Sequence, residues 1–287
     1  MACYNRKMYF SCFNSVFVKQ LVIFFFISLS LSALGQTNFT NGARSLSLVN
    51  ASVTLNDVWA QVNNPAALVG IKKQAFGISY QNRFGLKELQ SQGVVYAIPV
   101  KKVVLSAGSQ LYGYQQYRTM KSGLGVSMAL SEKVSMGVKL NHHLLRLNEN
   151  YGTSVSFSAD LGLLVKFNER IHFGFAAVNL GRSKVSPNLN ERLPSALRLG
   201  MNYRLSEQLI VLAELEKNVI SPLQVKFATE YKPIAKWYFR GGISTAPLSF
   251  AFGVGGRFKD QFQLDFGTAY HQLLGWSPHV SFQFDVK

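Results

Sequence analysis

The sequence predicts an all-β protein, a transmembrane antiparallel β-barrel with an N-terminal hatch segment in its lumen. Hydrophobic residues make up 48% of the 287 residues but charged residues only 15%, below the roughly 25% of an ordinary soluble domain. After residue 36, no stretch approaches the roughly 18 consecutive apolar residues of a membrane-spanning helix. Apolar residues instead recur with a period of two, which is typical of strands with one lipid-facing side.

The period of two is clearest near the end of the chain. In residues 279–287 the apolar side chains of Val280, Phe282 and Phe284 alternate with Ser281 and Gln283. The runs at 154–166, 197–204, 223–232, 248–258 and 261–271 alternate in the same way. The opposite face carries glycine, serine and charged residues, which favours a polar lumen over the inner face of a soluble sandwich.

The connections between these runs fall into two classes. Six are short and charged, at 100–102, 131–133, 168–170, 206–208, 233–235 and 259–260. Seven are more variable, at 85–90, 114–118, 148–151, 183–192, 218–222, 245–247 and 271–276. Thirteen alternating connections predict about 14 strands with both chain ends on the periplasmic side, and twelve strands remain an alternative.

Aromatic residues of outward parity flank the short connections. They are Phe167, Phe173, Tyr203, Tyr231, Trp237, Phe258 and Phe262. Rings at that height would form the aromatic girdle of a membrane barrel. The alternative is the ordinary strand propensity of aromatic residues.

Residues 1–35 are predicted to be a secretory signal peptide. Arg6, Lys7 and Lys19 form a basic region before the apolar run at 21–34, and Ala33 and Gly35 meet the small-residue rule for cleavage before residue 36. The alternative is an N-terminal anchor helix. Both cysteines of the chain, Cys3 and Cys12, lie in this segment, so the mature chain is predicted to have neither a disulfide nor a thiol nucleophile.

Residues 36–70 lack the period of two, and the barrel is predicted to occupy residues 71–287. Asn56 and Asp57 could cap a short helix through Val62, because the residue before Pro65 resists helix. A barrel of this size has room for a plug. We therefore expect residues 36–70, called the hatch below, to lie in the lumen.

The net charge of +16 indicates attraction to anionic surfaces. The expected partners are outer-membrane lipid and lipopolysaccharide. Nucleic acid is not expected, since the basic residues are scattered singly rather than clustered on one face.

The residues offer little for catalysis. No pair among the histidines has the spacing of a helical metal site, and no cysteine follows residue 12, so neither a metal site nor a cofactor is expected and the protein is predicted not to be an enzyme. His142 has outward parity, and we interpret it as a polar residue near the end of its strand, the alternative being a catalytic histidine. The inward charges are expected to pair with one another, the alternative being a ligand site.

Two short runs in the hatch resemble the N-terminal hatch of the FadL superfamily of outer-membrane barrels, and of its PorV/PorQ branch in particular. They are Gly42-Ala43-Arg44 and Asn64-Pro65-Ala66. Val178-Asn179-Leu180-Gly181 is similar to a recurrent element of that group. The resemblance implies the outer membrane of a Gram-negative, Bacteroidota-like bacterium. The sequence departs from the family at Val49-Asn50-Ala51, where a glycine-rich turn is usual, and at Lys287, where a terminal aromatic residue is usual.

The resemblance implies two functions. As a PorV/PorQ-like component of the type IX secretion system, the barrel would dock exported proteins or other secretion components. As a FadL-type channel, it would take up hydrophobic small molecules and would need a broken strand, for which Pro99 is a candidate. The connections average about five residues after membrane strands of about 9–11, so the sequence favours docking, with the contact loop at Val185, Pro187, Asn188 and Asn190.

Overall fold

The computed structural model describes residues 42–148, 152–185 and 191–286. Within them, fourteen antiparallel strands form a closed barrel in which each strand pairs with its neighbours in sequence and β1 pairs with β14. The strands are β1 (Ala75–Asn82), β2 (Gln90–Val100), β3 (Val103–Gly113), β4 (Tyr117–Ala129), β5 (Val134–Leu147), β6 (Thr153–Lys166), β7 (Ile171–Val178), β8 (Ala196–Arg204), β9 (Leu209–Asn218), β10 (Gln224–Ile234), β11 (Trp237–Ser244), β12 (Ser249–Phe258), β13 (Phe262–His271) and β14 (Gly275–Asp285). The predicted fold and strand number are confirmed.

The connections are uniformly short at one end of the barrel and more variable at the other. One end carries connections of two to four residues, at 101–102, 130–133, 167–170, 205–208, 235–236 and 259–261. The other end carries connections of three to 17 residues, at 83–89, 114–116, 148–152, 179–195, 219–223, 245–248 and 272–274. In membrane barrels the short turns are periplasmic and the longer loops extracellular, and the two ends are named accordingly below.

The barrel exterior is apolar, as the alternation predicts. Phe157 is 68% exposed and Phe252 is 54% exposed, whereas Asp160 and Gly253 on the same strands point to the interior. Aromatic pairs border the short turns: the rings of Phe167 and Phe173 lie 6.4 Å apart, and those of Trp237 and Phe258 lie 6.3 Å apart.

Pro99 does not break its strand. It lies in β2 and pairs with Val104 of β3, one residue before the turn. Although proline has no N–H to donate, the pairing of β2 with β3 continues through Pro99 to the turn. Pro99 therefore provides no lateral opening.

Residues 42–70 fold into short helical segments. Helix α1 comprises Ala43–Ser47, α2 comprises Ala60–Asn63, and a 3₁₀ segment comprises Pro65–Gly70. The helix expected from Asn56 to Val62 therefore begins later, because Asp57 accepts a hydrogen bond from Trp59 N (3.0 Å) in a turn that precedes α2. No helix in the described part of the chain is long and apolar enough to cross a membrane.

Some predictions fall on residues that the structure does not describe. The signal peptide at 1–35, the first residues of the hatch and the loop residues Pro187, Asn188 and Asn190 lie outside the described residues.

The exposed apolar exterior leads to a stability prediction. Phe252→Arg, in the middle of β12, should lower the free energy of unfolding by about 2–4 kcal/mol, because it places a charge near the bilayer midplane. Phe167→Arg, beside a short turn, should cost about 0–1 kcal/mol. Urea unfolding of both variants in lipid vesicles measures the difference, and equal costs would contradict the assigned depth of these residues.

Candidate functional site

The described hatch residues lie in the barrel lumen against inward-facing side chains of the wall. Ala43 N donates a hydrogen bond to Ser281 Oγ of β14 (3.0 Å). Gly42 has a φ of 84°, and a Cβ there would lie 2.6 Å from the Trp59 ring. Glycine is therefore required at residue 42 both by its backbone conformation and by the close approach of Trp59.

The Asn64-Pro65-Ala66 run fixes the hatch to the wall on β4–β6. Asn64 Nδ2 donates to Val53 O (2.6 Å) within the hatch and to Leu163 O (3.1 Å) of β6. Asn64 Oδ1 accepts from Ala66 N (3.1 Å), and Ser127 Oγ of β4 donates to Pro65 O (2.6 Å). The backbone approaches so closely that a Cβ at Gly137 would lie 2.5 Å from Pro65 C.

Arg44 connects the hatch to the opposite wall through buried ion pairs. Its guanidinium contacts Glu230 of β10 (2.7 Å) and Asp57 of the hatch (3.0 Å). Arg240 of β11 bonds the same Glu230 (2.6 Å) and also Asp265 of β13 (2.7 Å). Burial alone would lower the pKa of Arg44, but Glu230 and Asp57 outweigh burial and raise that pKa, so the guanidinium stays charged.

Glu214 of β9 is the second anchor of the hatch. One carboxylate oxygen accepts from Ser52 N (2.8 Å) and Val53 N (2.9 Å). The other lies 2.8 Å from Arg198 Nη2 and 3.0 Å from Lys226 Nζ. A buried carboxylate is stable only with such partners, and here they join the hatch to β8–β10.

A third charged cluster lies in the wall itself. Asp160 of β6 contacts Lys139 Nζ (3.0 Å) and accepts from Asn141 Nδ2 (2.9 Å) and Asn179 N (2.9 Å). Together with Arg257–Asp285 (3.0 Å), these clusters confirm that most of the inward charges pair with one another.

The polar groups of the lumen do not form a recognisable catalytic centre. His143 Nε2 lies 2.8 Å from Ser158 Oγ. Within the part of the chain that the structure describes, no carboxylate is hydrogen-bonded to His143, so the pair lacks the third group that orients a catalytic base. The described residues also contain no group of three metal-ligating side chains.

The exterior wall contains a recess that the sequence analysis missed. It has a volume of about 640 Å³, within the usual range for small-molecule sites. Its floor is made of the small outward residues Ala107, Ser109 and Ser122, and the taller side chains around it include Val94, Tyr96, Leu124, Leu140, His142 and Phe157. A neighbouring recess of about 390 Å³ shares Val94 and Ser109.

Strand register creates this recess by placing small residues side by side. Ser109 pairs with Ser122, and Ser122 pairs with His142. The two serine hydroxyls lie 3.0 Å apart and hydrogen-bond each other, while the His142 ring packs on Phe157 with centroids 5.3 Å apart. His142 is not near the end of β5 as interpreted from the sequence, because the strand continues to Leu147.

The wall beneath the recess is thin. Gly108 and Gly123 occupy inward positions there and have no side chain. A Cβ at Gly108 would lie 2.7 Å from Gln61 Oε1 of α2. Gln61 Nε2 donates to Gly123 O (3.2 Å). Only backbone therefore separates the recess from the hatch. The sequence shows the small residues at outward parity in β3 and β4, but only the strand register places them side by side.

The predicted contact loop is described only at its base. Val185 N donates to Glu191 O (2.9 Å), and Ser154 Oγ of β6 donates to Val185 O (2.6 Å). Asn179, with a φ of 53°, supports this base by donating from Nδ2 to Leu193 O (3.0 Å).

Comparison with known proteins shows the fold. No protein-family model matches the chain, and no curated protein matches it in sequence. Among solved structures, it is similar to the toluene transporter TbuX of Ralstonia pickettii, with a TM-score of 0.67 and 13% identity over 86% of this chain and 98% of that one. A FadL homologue of Pseudomonas aeruginosa matches with a TM-score of 0.63 and 12% identity over 87% of this chain and 99% of that one.

The toluene transporter TodX of Pseudomonas putida is also similar, with a TM-score of 0.57 and 12% identity over 78% of this chain and 91% of that one. These structures share the barrel architecture of this chain. These three similarities do not connect it with the PorV/PorQ branch or with type IX secretion.

The anchor at Glu230 leads to a second prediction. Glu230→Gln keeps the size of the side chain but leaves Arg44 and Arg240 without their shared carboxylate, so it should lower the free energy of unfolding by about 3–5 kcal/mol. Asp285→Asn removes the partly exposed pair with Arg257 and should cost about 0–1 kcal/mol. Urea titration of both variants measures the costs. A Glu230→Gln cost no larger than that of Asp285→Asn would show that this anchor does not stabilise the fold.

The close approach at Gly137 leads to a third prediction. Gly137→Ala should destabilise the protein by about 1–3 kcal/mol, since the added methyl group meets the backbone of Pro65 and Ala66. Gly241→Ala is the matched control, because a Cβ there meets its nearest atom at 3.7 Å. Thermal unfolding compares the two variants. Equal melting temperatures would contradict the contact between Gly137 and the hatch at Pro65 and Ala66.

Proposed function

We propose that this protein is an outer-membrane barrel that admits small hydrophobic molecules, with the hatch as its gate. The observation that carries the proposal is the apolar recess of about 640 Å³, which only backbone separates from the hatch. The fold shared with two toluene transporters and a FadL homologue supports it. The apolar exterior of the barrel, together with the signal peptide predicted from the sequence, supports the outer membrane as its location.

The hatch offers a hydrophobic molecule one favourable side. Toward β1–β3 and β6, an apolar cluster joins Val58, Trp59 and Leu68 to Val95 and Val104 of the wall. Toward β9–β13, a second apolar cluster joins Leu48 and Leu55 of the hatch to Leu212 of the wall. On that side, however, the hatch is also held by the ion pairs of Arg44 and by Glu214. Breaking buried ion pairs costs several kcal/mol. A passage along the apolar side leaves them intact, and that side adjoins the recess.

The predictions on catalysis, docking and origin are also proposals. A channel needs no catalytic residue, so the proposal agrees with a non-enzymatic protein without a cofactor. Docking in type IX secretion and the Bacteroidota-like origin stay predictions that rest on the resemblance, and the contact loop at Val185 stays a prediction that rests on loop length.

A reversible lock on the hatch tests the proposal. Ala66→Cys/Ser127→Cys places thiols on the 3₁₀ segment and on β4, where Ser127 Oγ is 2.6 Å from Pro65 O. The only natural cysteines, Cys3 and Cys12, precede the hatch. In a Gram-negative host without its own hydrophobic-uptake barrel, uptake of labelled toluene should exceed the empty-vector rate, fall to it when the thiols are oxidised, and return on reduction.

Ser127→Cys alone is the control for the thiol chemistry. Uptake no faster than with the empty vector, in cells that contain folded barrel, would contradict the channel. Equal uptake by the oxidised and reduced double variant would contradict the hatch as its gate.

A further inference from the structure

Two arginines face outward side by side at the extracellular end of the wall. Arg118 of β4 and Arg146 of β5 are direct cross-strand partners, and both are exposed. Like charges directly opposite each other on a sheet are destabilising. Within residues 42–148, 152–185 and 191–286, neither guanidinium has an acidic partner. The arginine pair is therefore a concentrated positive charge that an anion would stabilise.

The position of the arginine pair matches the depth of lipid headgroups. On β4, the outward residues from Met120 to Met128 are apolar except for Ser122, and a tilted membrane strand takes about 9–11 residues. Arg118 lies just beyond that apolar band on the extracellular side. Phosphate groups of outer-leaflet lipids lie at the same height.

The recess opens below the arginine pair on the same strands. Ser122 and His142 are four residues from Arg118 and Arg146, or roughly 13 Å along the strands. On the outward face, the one pair between them is Met120 and Leu144. A molecule with a phosphate at the arginine pair and a hydrocarbon chain directed along the wall would place that chain in the recess.

The chemistry of the recess fits a hydrocarbon chain. The hydroxyls of Ser109 and Ser122 hydrogen-bond each other, so one of their two O–H donors is satisfied within the floor. The small floor residues and the tall side chains of Tyr96 and Leu124 beside them leave a groove in which a chain contacts protein on more than one side. A free inorganic anion would leave this groove unused.

We propose that the arginine pair and the recess together bind an anionic lipid of the outer leaflet, with its phosphate between Arg118 and Arg146 and one acyl chain in the recess. Two guanidinium groups hold a phosphate by charge-assisted hydrogen bonds, which also relieve their mutual repulsion. The site lies on the outer face of the wall, outside the lumen, and it uses the same recess that supports the proposed function. It gives the lipid and lipopolysaccharide attraction expected from the net charge a defined place.

Native mass spectrometry of the purified full barrel, titrated with lipid A, tests the headgroup. Arg118→Gln/Arg146→Gln should weaken binding of lipid A by about tenfold for each arginine, the loss expected for one charge-assisted hydrogen bond. Arg170→Gln, which removes a positive charge at the periplasmic end, should leave binding unchanged. Equal binding by the double variant and the unmodified protein would overturn the proposal.

The acyl-chain half of the proposal has its own variants. Ala107→Leu fills the recess floor and should weaken binding of lipid A, whereas Ala213→Leu, on the outward face of β9, should not. The unmodified protein provides a test without any substitution: it should bind lipid A more tightly than lipid A freed of its phosphates. Equal affinity for the two lipids, or an equal effect of the two leucine variants, would overturn the proposal. A loss of toluene uptake leaves these binding results unaffected, so the two proposals fail separately.

Discussion

A sheet that crosses a bilayer cannot leave a row of backbone N–H and C=O groups unpaired, because hydrocarbon offers them no partner. The pairing of β1 with β14 satisfies that requirement. Closure creates the lumen, and it fixes which side of every strand faces lipid. The segment before β1 must then occupy the lumen or lie outside the wall. Here residues 42–70 lie in the lumen, where buried side chains of the wall are available to pair with their polar groups.

The lumen divides the hatch into two chemically different sides. On the side of β9, β10 and β13, carboxylates pair with arginines and with hatch backbone next to a second apolar cluster, whereas β1–β3 and β6 present small and aliphatic side chains to Trp59 and Leu68 without such ion pairs to the hatch. An ionic side stabilises one position of the hatch, since each partner left behind would be a buried charge. An apolar side tolerates displacement more readily. The position of the proposed passage therefore depends on which wall strands carry charged side chains as well as on the hatch.

The sequence predicts those features that depend on one strand at a time. Turn residues and the period of two reveal fourteen strands, and parity assigns Phe157 and Phe252 to the exterior. Features that depend on register are different. Ser109, Ser122 and His142 lie in one row only because three strands align in that way, and no short-range pattern contains that alignment. The predicted start of α2 is also wrong, because the Asp57 carboxylate accepts a hydrogen bond in the preceding turn and pairs with Arg44 rather than capping a helix.

The anchors of the hatch join residues that are far apart along the chain. Arg44 and Glu230 are separated by 186 positions, and Ser52 and Glu214 by 162. Contacts of such high sequence separation form late, because the intervening chain must first lose its entropy. These contacts of the hatch therefore cannot form before the carboxy-terminal half of the barrel is present. During assembly, Arg44 and the backbone of Ser52 therefore have no carboxylate of the wall to pair with until β9 and β10 are in place.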